Sequence, residues 1–110
     1  MEIRQTEEGD VLVFTVDGRI DSEGASHLER ALVDAVMAGN HKMIIDMAQV
    51  SYVNSAALRV LADVLNANRE NGGDLRLVAV SSRVRRVFEI IGFTRFFKDY
   101  DSVLAALEGF

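Results

Sequence analysis

The apolar run Met43-Ile44-Ile45-Asp46-Met47, followed closely by a long stretch of helical spacing, most narrows the folds open to this chain. A run of that kind belongs to a strand whose two faces are both covered. From Ser55 to Asn71 the apolar residues Leu58, Leu61, Ala62 and Leu65 recur on one helix face, and Gly72-Gly73 supplies a stop. Between the two lies Val50-Ser51-Tyr52-Val53-Asn54-Ser55-Ala56-Ala57-Leu58, expected to form a short loop that sets the Ser55 hydroxyl at the helix start. The first N–H groups of a helix lack internal partners, and its dipole favours negative charge there. Ser55 can therefore cap the helix, or carry a phosphate that the helix end accommodates.

The same alternation runs through the chain. Ile3 to Thr6 reads as a strand, Glu8-Gly9-Asp10 as a tight turn, and Val11 to Val16 as a buried strand, together an antiparallel hairpin. Asp17-Gly18 is expected to break the second strand. A helix follows from about Ala25 to Ala38, with Leu28, Leu32, Val36 and Met37 on its apolar stripe and Gly39-Asn40 at its end. Leu75 to Val80 is the next strand. Ser82 can cap a helix carrying Val84, Val87, Phe88 and Ile91, stopped at Gly92. Phe96-Phe97 is a very short strand candidate, and Asp101 or Ser102 can cap a last helix with Val103, Leu104 and Leu107. This order predicts a single α/β domain over residues 1–110. Its sheet is mixed but mostly parallel, with an N-terminal β-hairpin, about four helices and right-handed crossovers. Working loops in such sheets lie at the carboxyl ends of strands. The loops after Val16, Asp46 and Val80 are therefore expected to converge, bringing Asp21-Ser22-Glu23, Ser55 and Ser82 to one edge.

Composition removes several function classes. The absence of cysteine rules out disulfides, thiolate chemistry and cysteine-ligated metal. A net charge of −5 argues against a dedicated nucleic-acid binder. The polar, acidic N-terminus does not resemble a signal peptide, and no apolar run reaches the length of a membrane span, so a soluble, cytoplasmic protein without direct membrane insertion is expected. There is no Gly-x-Ser-x-Gly elbow, phosphate loop or dinucleotide fingerprint, and no histidine stands near Ser55 in sequence, so neither an enzyme nor a cofactor is expected. His27 and His41 lack metal-ligand spacing. Phe93, Phe96 and Phe97 are read as core. Arg83, Arg85 and Arg86 form a basic patch, either a solvated helix face or a contact for an acidic partner.

These pieces, taken in order, resemble a family. Gly18-Arg19-Ile20-Asp21, Ile44-Ile45-Asp46-Met47, the stretch Val50 to Leu58, Asn71-Gly72-Gly73-Asp74-Leu75-Arg76-Leu77 and Val84 to Phe93 together look like the STAS domain family, of the anti-sigma factor antagonist type. The resemblance implies a STAS-like fold and a role in partner switching. In that role the unphosphorylated antagonist binds an anti-sigma factor serine kinase of the histidine-kinase-like ATPase fold. Phosphorylation of a serine at the start of the second helix releases it, and a metal-dependent serine phosphatase restores it. Ser55 falls on the acceptor position and Leu58 on the buried leucine after it. The family's Asp-Ser-Ser/Thr-Gly-Leu or Ser-Ser-Ala-Gly-Leu is replaced here by Asn54, Ala56 and Ala57 around Ser55. Asn54 can still cap the helix but carries no charge. The expected partner surface comprises Asp21, Ser22, Glu23, Asn54, Ser55, Ala56 and Arg59. The alternative is a STAS accessory or scaffold subunit, in a lipid transporter complex or a stressosome-like assembly, without a phospho-switch. Nucleotide binding by the domain itself lacks a supporting phosphate loop.

Overall fold

Two residues, Gly9 and Asp10, join β1 (Glu2–Glu8) to β2 (Val11–Ile20) in an antiparallel hairpin. Gly9 takes the left-handed backbone, φ +65°, that a two-residue hairpin turn requires of its first residue. The rest of the computed structural model, which describes every residue from Met1 to Phe110, alternates helix and strand. The order is α1 (Ser22–Met37), β3 (Lys42–Val53), α2 (Ser55–Glu70), β4 (Asp74–Val78), α3 (Ser82–Ile91), β5 (Lys98–Tyr100) and α4 (Val103–Leu107). The five strands stand in sequence order, with β2 through β5 mutually parallel. The expected α/β architecture, hairpin and four helices are therefore present.

Several boundaries differ from the sequence expectation, those of β2 and β3 through pairing between strands distant in sequence. Asp17-Gly18 does not end β2. The strand continues to Ile20 because β3 pairs with it all the way, and the mismatch is absorbed by register shifts around Asp17 and Gly18. The stretch before Asn54 is not a loop either: β3 runs on to Val53, with Val50 and Val53 buried. Phe96-Phe97 lies in the turn before β5, where Phe97 packs edge-on against Phe88. Ser81, not Ser82, caps α3, its hydroxyl accepting from the Val84 N–H at 3.2 Å. Ser102 caps α4. Met37, the last residue of α1, and Leu104, on the side of α4 opposite Ala106, were placed on apolar stripes by spacing but are 82% and 76% exposed.

One sheet face carries α1, α2 and α3. Phe14, Val16, Met43, Ile45 and Met47 meet Leu28, Leu32, Leu58, Leu61 and Leu65 there, all fully or almost fully buried. Each such side chain contributes about 1.5–3 kcal/mol through burial. The alternate residues of the same strands, Val11, Val13, Ile44 and Val78, point to the other face and are covered by α4 through Ala106. The clamp on that side is Arg76 of β4. Its buried guanidinium donates to the carbonyls of Ala106 and Glu108, both at 2.8 Å, and of Gly109 at 3.1 Å. It also pairs with Asp74 at 3.2 Å and lies 4.0 Å from the centre of the Phe110 ring.

Candidate functional site

The geometry of the site follows from unequal strand lengths. β4 pairs with β3 only from Lys42 to Asp46, whereas β2 pairs with β3 up to Ile20 against Val53. Beyond Asp46, β3 thus has β2 on one side and no strand on the other, a two-stranded extension of about 23 Å. Arg19 and Tyr52, register partners on it, stack with the guanidinium 4.5 Å from the ring centre. Because both strands end together, α1 and α2 start side by side at its tip. The loop after β4 stops level with Asp46 instead, so Ser82 does not join them. The expected convergence therefore holds for two loops of the three.

The two helix starts are built alike. Asp21 caps α1, Oδ1 accepting from the Gly24 N–H at 2.9 Å, and Asn54 caps α2, Oδ1 accepting from the Ala57 N–H at 2.9 Å. The Asn54 N–H is itself tied to the Ile20 carbonyl at 3.1 Å, which fixes where the strand stops and the helix begins. The Asn54 side-chain Nδ2 donates to the Ser22 hydroxyl at 3.4 Å, linking the starts of α1 and α2. Ser55 consequently does not cap. It occupies the first helical position, exposed, and its hydroxyl bonds to no other group of the chain. Of the four N–H groups that the helix start leaves without a partner inside the helix, that of Asn54 is taken by Ile20 and that of Ala57 by the Asn54 side chain. The Ser55 and Ala56 N–H groups remain open toward solvent, where an anion is favoured.

Ser22, Ser55, Ala56 and Arg59 line one groove of about 340 Å³ between α1 and α2, with Asn54 at its mouth. Ser26, Glu29 and Asp63 share it; they lie one or two turns along from Ser22 and Arg59, and that helical spacing was the signal available in the sequence. Asp21 and Glu23 do not line this groove. They face a separate open hollow of about 890 Å³ on the other flank of α1, with Arg19, His27 and Arg30. No group of three or more His, Asp and Glu side chains is placed to hold a metal ion, and no helix is long and apolar enough to cross a membrane.

The pattern of known proteins agrees with this architecture. The STAS domain model matches residues 2–106. A Bordetella bronchiseptica protein assigned as an anti-sigma factor antagonist, BtrV, is 34% identical over 100 residues, covering 91% of this chain and 86% of its own. The anti-sigma-B factor antagonist of Staphylococcus epidermidis is 34% identical over 77 residues, 70% and 71% of the two chains. Among solved structures, the Bacillus cell fate determinant SpoIIAA superposes in its unphosphorylated form with a TM-score of 0.81 at 17% identity, over 94% and 92% of the two chains. Its phosphorylated form gives 0.74 at 16%, over 94% and 96%. At those identities the likeness is one of fold. The chain belongs to the STAS family, among the anti-sigma factor antagonists.

Proposed function

We propose that this protein is a partner-switching antagonist in the cytoplasm. Unphosphorylated, it binds an anti-sigma serine kinase of the histidine-kinase-like ATPase fold, and phosphorylation on Ser55 releases it. A metal-dependent serine phosphatase resets the switch. The observation that carries this reading is the unbonded, exposed Ser55 hydroxyl at the first position of α2, free of any capping duty because Asn54 performs it. SpoIIAA has been solved in both phosphorylation states, and it shares the fold.

Phosphorylation would add a charge of about −1.5 to −2 and three acceptor oxygens at this point. The open N–H groups of Ser55 and Ala56 and the helix dipole offset that charge within the chain, so the fold tolerates it. A partner surface complementary to a neutral hydroxyl does not. A loss of about 3 kcal/mol there weakens the complex more than a hundredfold. Ser22, Asn54, Ala56 and Arg59 form the remainder of the docking surface along the groove, and Asp21 and Glu23 extend it over the α1 start.

The test is to incubate the protein with its cognate kinase and ATP, and to compare wild type, Ser55→Ala and Ser55→Asp in pull-downs. Phosphate is expected on Ser55 alone, with Ser55→Ala retaining the kinase and Ser55→Asp losing it. Phosphate on Ser55→Ala would overturn the assignment. Equal retention by all three proteins would point instead to an accessory or scaffold subunit.

A further inference from the structure

The start of α3 breaks a local rule that the other helices respect or leave neutral. Arg83, Arg85 and Arg86 crowd its first turns, where the positive end of the helix dipole disfavours cations, and no acidic residue stands in the first turn to offset them. Residues 82–98 hold five cations against Glu89 alone, a local charge of +4 in a chain of net −5, so the remainder carries −9. A helix face meant only for solvent would have no reason to concentrate charge of the unfavourable sign in this place.

The three arginines are not equivalent. Arg85 forms an ion pair with Asp99 of β5. Arg83 and Arg86 make no ion pair or hydrogen bond with any group of the chain and are exposed. Their spacing of three puts them on one flank of the helix, and Ile90, four residues further, continues that flank at 77% exposure. Val84 and Phe88, which hold α3 to the sheet, lie on a different face. The flank thus offers two unpaired guanidinium groups beside a bare aliphatic side chain, the combination in which arginine anchors surround an apolar contact.

We propose that the Arg83–Arg86–Ile90 flank of α3 docks an acidic protein segment that seats an apolar residue on Ile90. Charge complementarity selects an anion. Ile90 selects a protein over a nucleic acid, because a phosphate backbone offers it nothing to pack against and the −9 remainder repels a polyanion. The surface does not depend on the chemistry of Ser55.

The experiment is an NMR titration of the labelled full chain with a 14-residue peptide of Glu and Leu at helical spacing. A Lys-for-Glu version of the peptide and a short DNA duplex serve as the other arms. Saturable shifts are expected at Arg83, Arg86 and Ile90 with the acidic peptide only. Binding should weaken about tenfold or more in R83Q/R86Q and several-fold in I90S, and fall with added salt. Unmoved amide signals around Ser55 and Phe14 confirm that the variants are folded. No saturable shifts, equal affinity in R83Q/R86Q, or tighter binding of DNA at the same residues would overturn the proposal. Shifts of these amides on concentrating the protein alone would replace the acidic partner with a second copy of the chain, and so overturn it too.

Discussion

Asn54 shows how one side chain can settle two questions. A serine at this position would cap α2 but reach no further, and an aspartate would cap it but could meet Ser22 only by accepting its hydroxyl hydrogen. The amide does both, accepting from Ala57 and donating to Ser22. Asn54→Ala is expected to cost about 1 kcal/mol in denaturant unfolding, the worth of a lost cap. Asn54→Asp keeps the cap and should lose less, while placing a second negative charge beside any phosphate on Ser55. Neighbouring polar residues explain why the cap assignment was not legible from sequence: Asn54-Ser55 and Ser81-Ser82 each offer two candidates one residue apart. The choice at α2 is made by the bond from the Asn54 N–H to Ile20, a partner distant in sequence. Glycines give a sharper test. A Cβ at Gly73 would lie 1.7 Å from the His41 carbonyl oxygen, whereas at Gly72, φ +79°, it would meet nothing within 4 Å. Gly72→Ala should therefore cost only left-handed strain, about 1–2 kcal/mol. Gly73→Ala must displace backbone and should cost about 3 kcal/mol or more by the same unfolding measurement.

Among the elements, α4 is held by a small apolar contact through Ala106 and by one polar residue, Arg76. Five residues of helix bury little, and Arg76 supplies what they lack by holding three carbonyls at the chain's end. Arg76→Ala leaves those carbonyls without their donor and Asp74 with Arg69 as its one remaining cation. We expect a loss of about 3 kcal/mol from the carbonyls left unsatisfied, with amide exchange in α4 accelerating ahead of the rest of the chain. Arg76→Met, which fills the space without the charge, should be milder. Nothing in the sequence near Arg76 announces this role, since its partners come 30, 32 and 33 residues later. The helices α1 and α2, by contrast, were readable because Leu28, Leu32, Leu58, Leu61 and Leu65 repeat at their own period and all face one sheet. Strand lengths were harder. Asp17-Gly18 carries the composition of a turn, and only the pairing of β2 with β3 keeps the chain extended through it.

At the scale of the whole molecule, electrostatics is mostly a surface matter, and one pair illustrates its sign. The Lys42 ammonium donates to Asp10 at 2.8 Å and holds that carboxyl below its usual range. A carboxyl depressed in the folded state contributes stability that is present above its unfolded pKa and is lost as pH falls through the folded value. Lys42→Met should return the Asp10 titration, followed by NMR, to the ordinary carboxylate range, and the contribution of the pair should shrink with salt because both groups face water. The chain-wide order of strands and helices was legible because every crossover is local, each strand pairing with its successor. The mismatch in length between β3 and β4 was not, and it has a dynamic consequence. The outer part of β3, from Met47 to Val53, hangs from β2 like a beam fixed along one edge, so opening it breaks one ladder where opening Ile44 to Asp46 breaks two. Amides of Val50 to Val53 should exchange faster than those of Ile44 to Asp46. A partner gripping the tip would then pull on a singly supported part of the sheet, and its binding would be felt as slowed exchange along that beam.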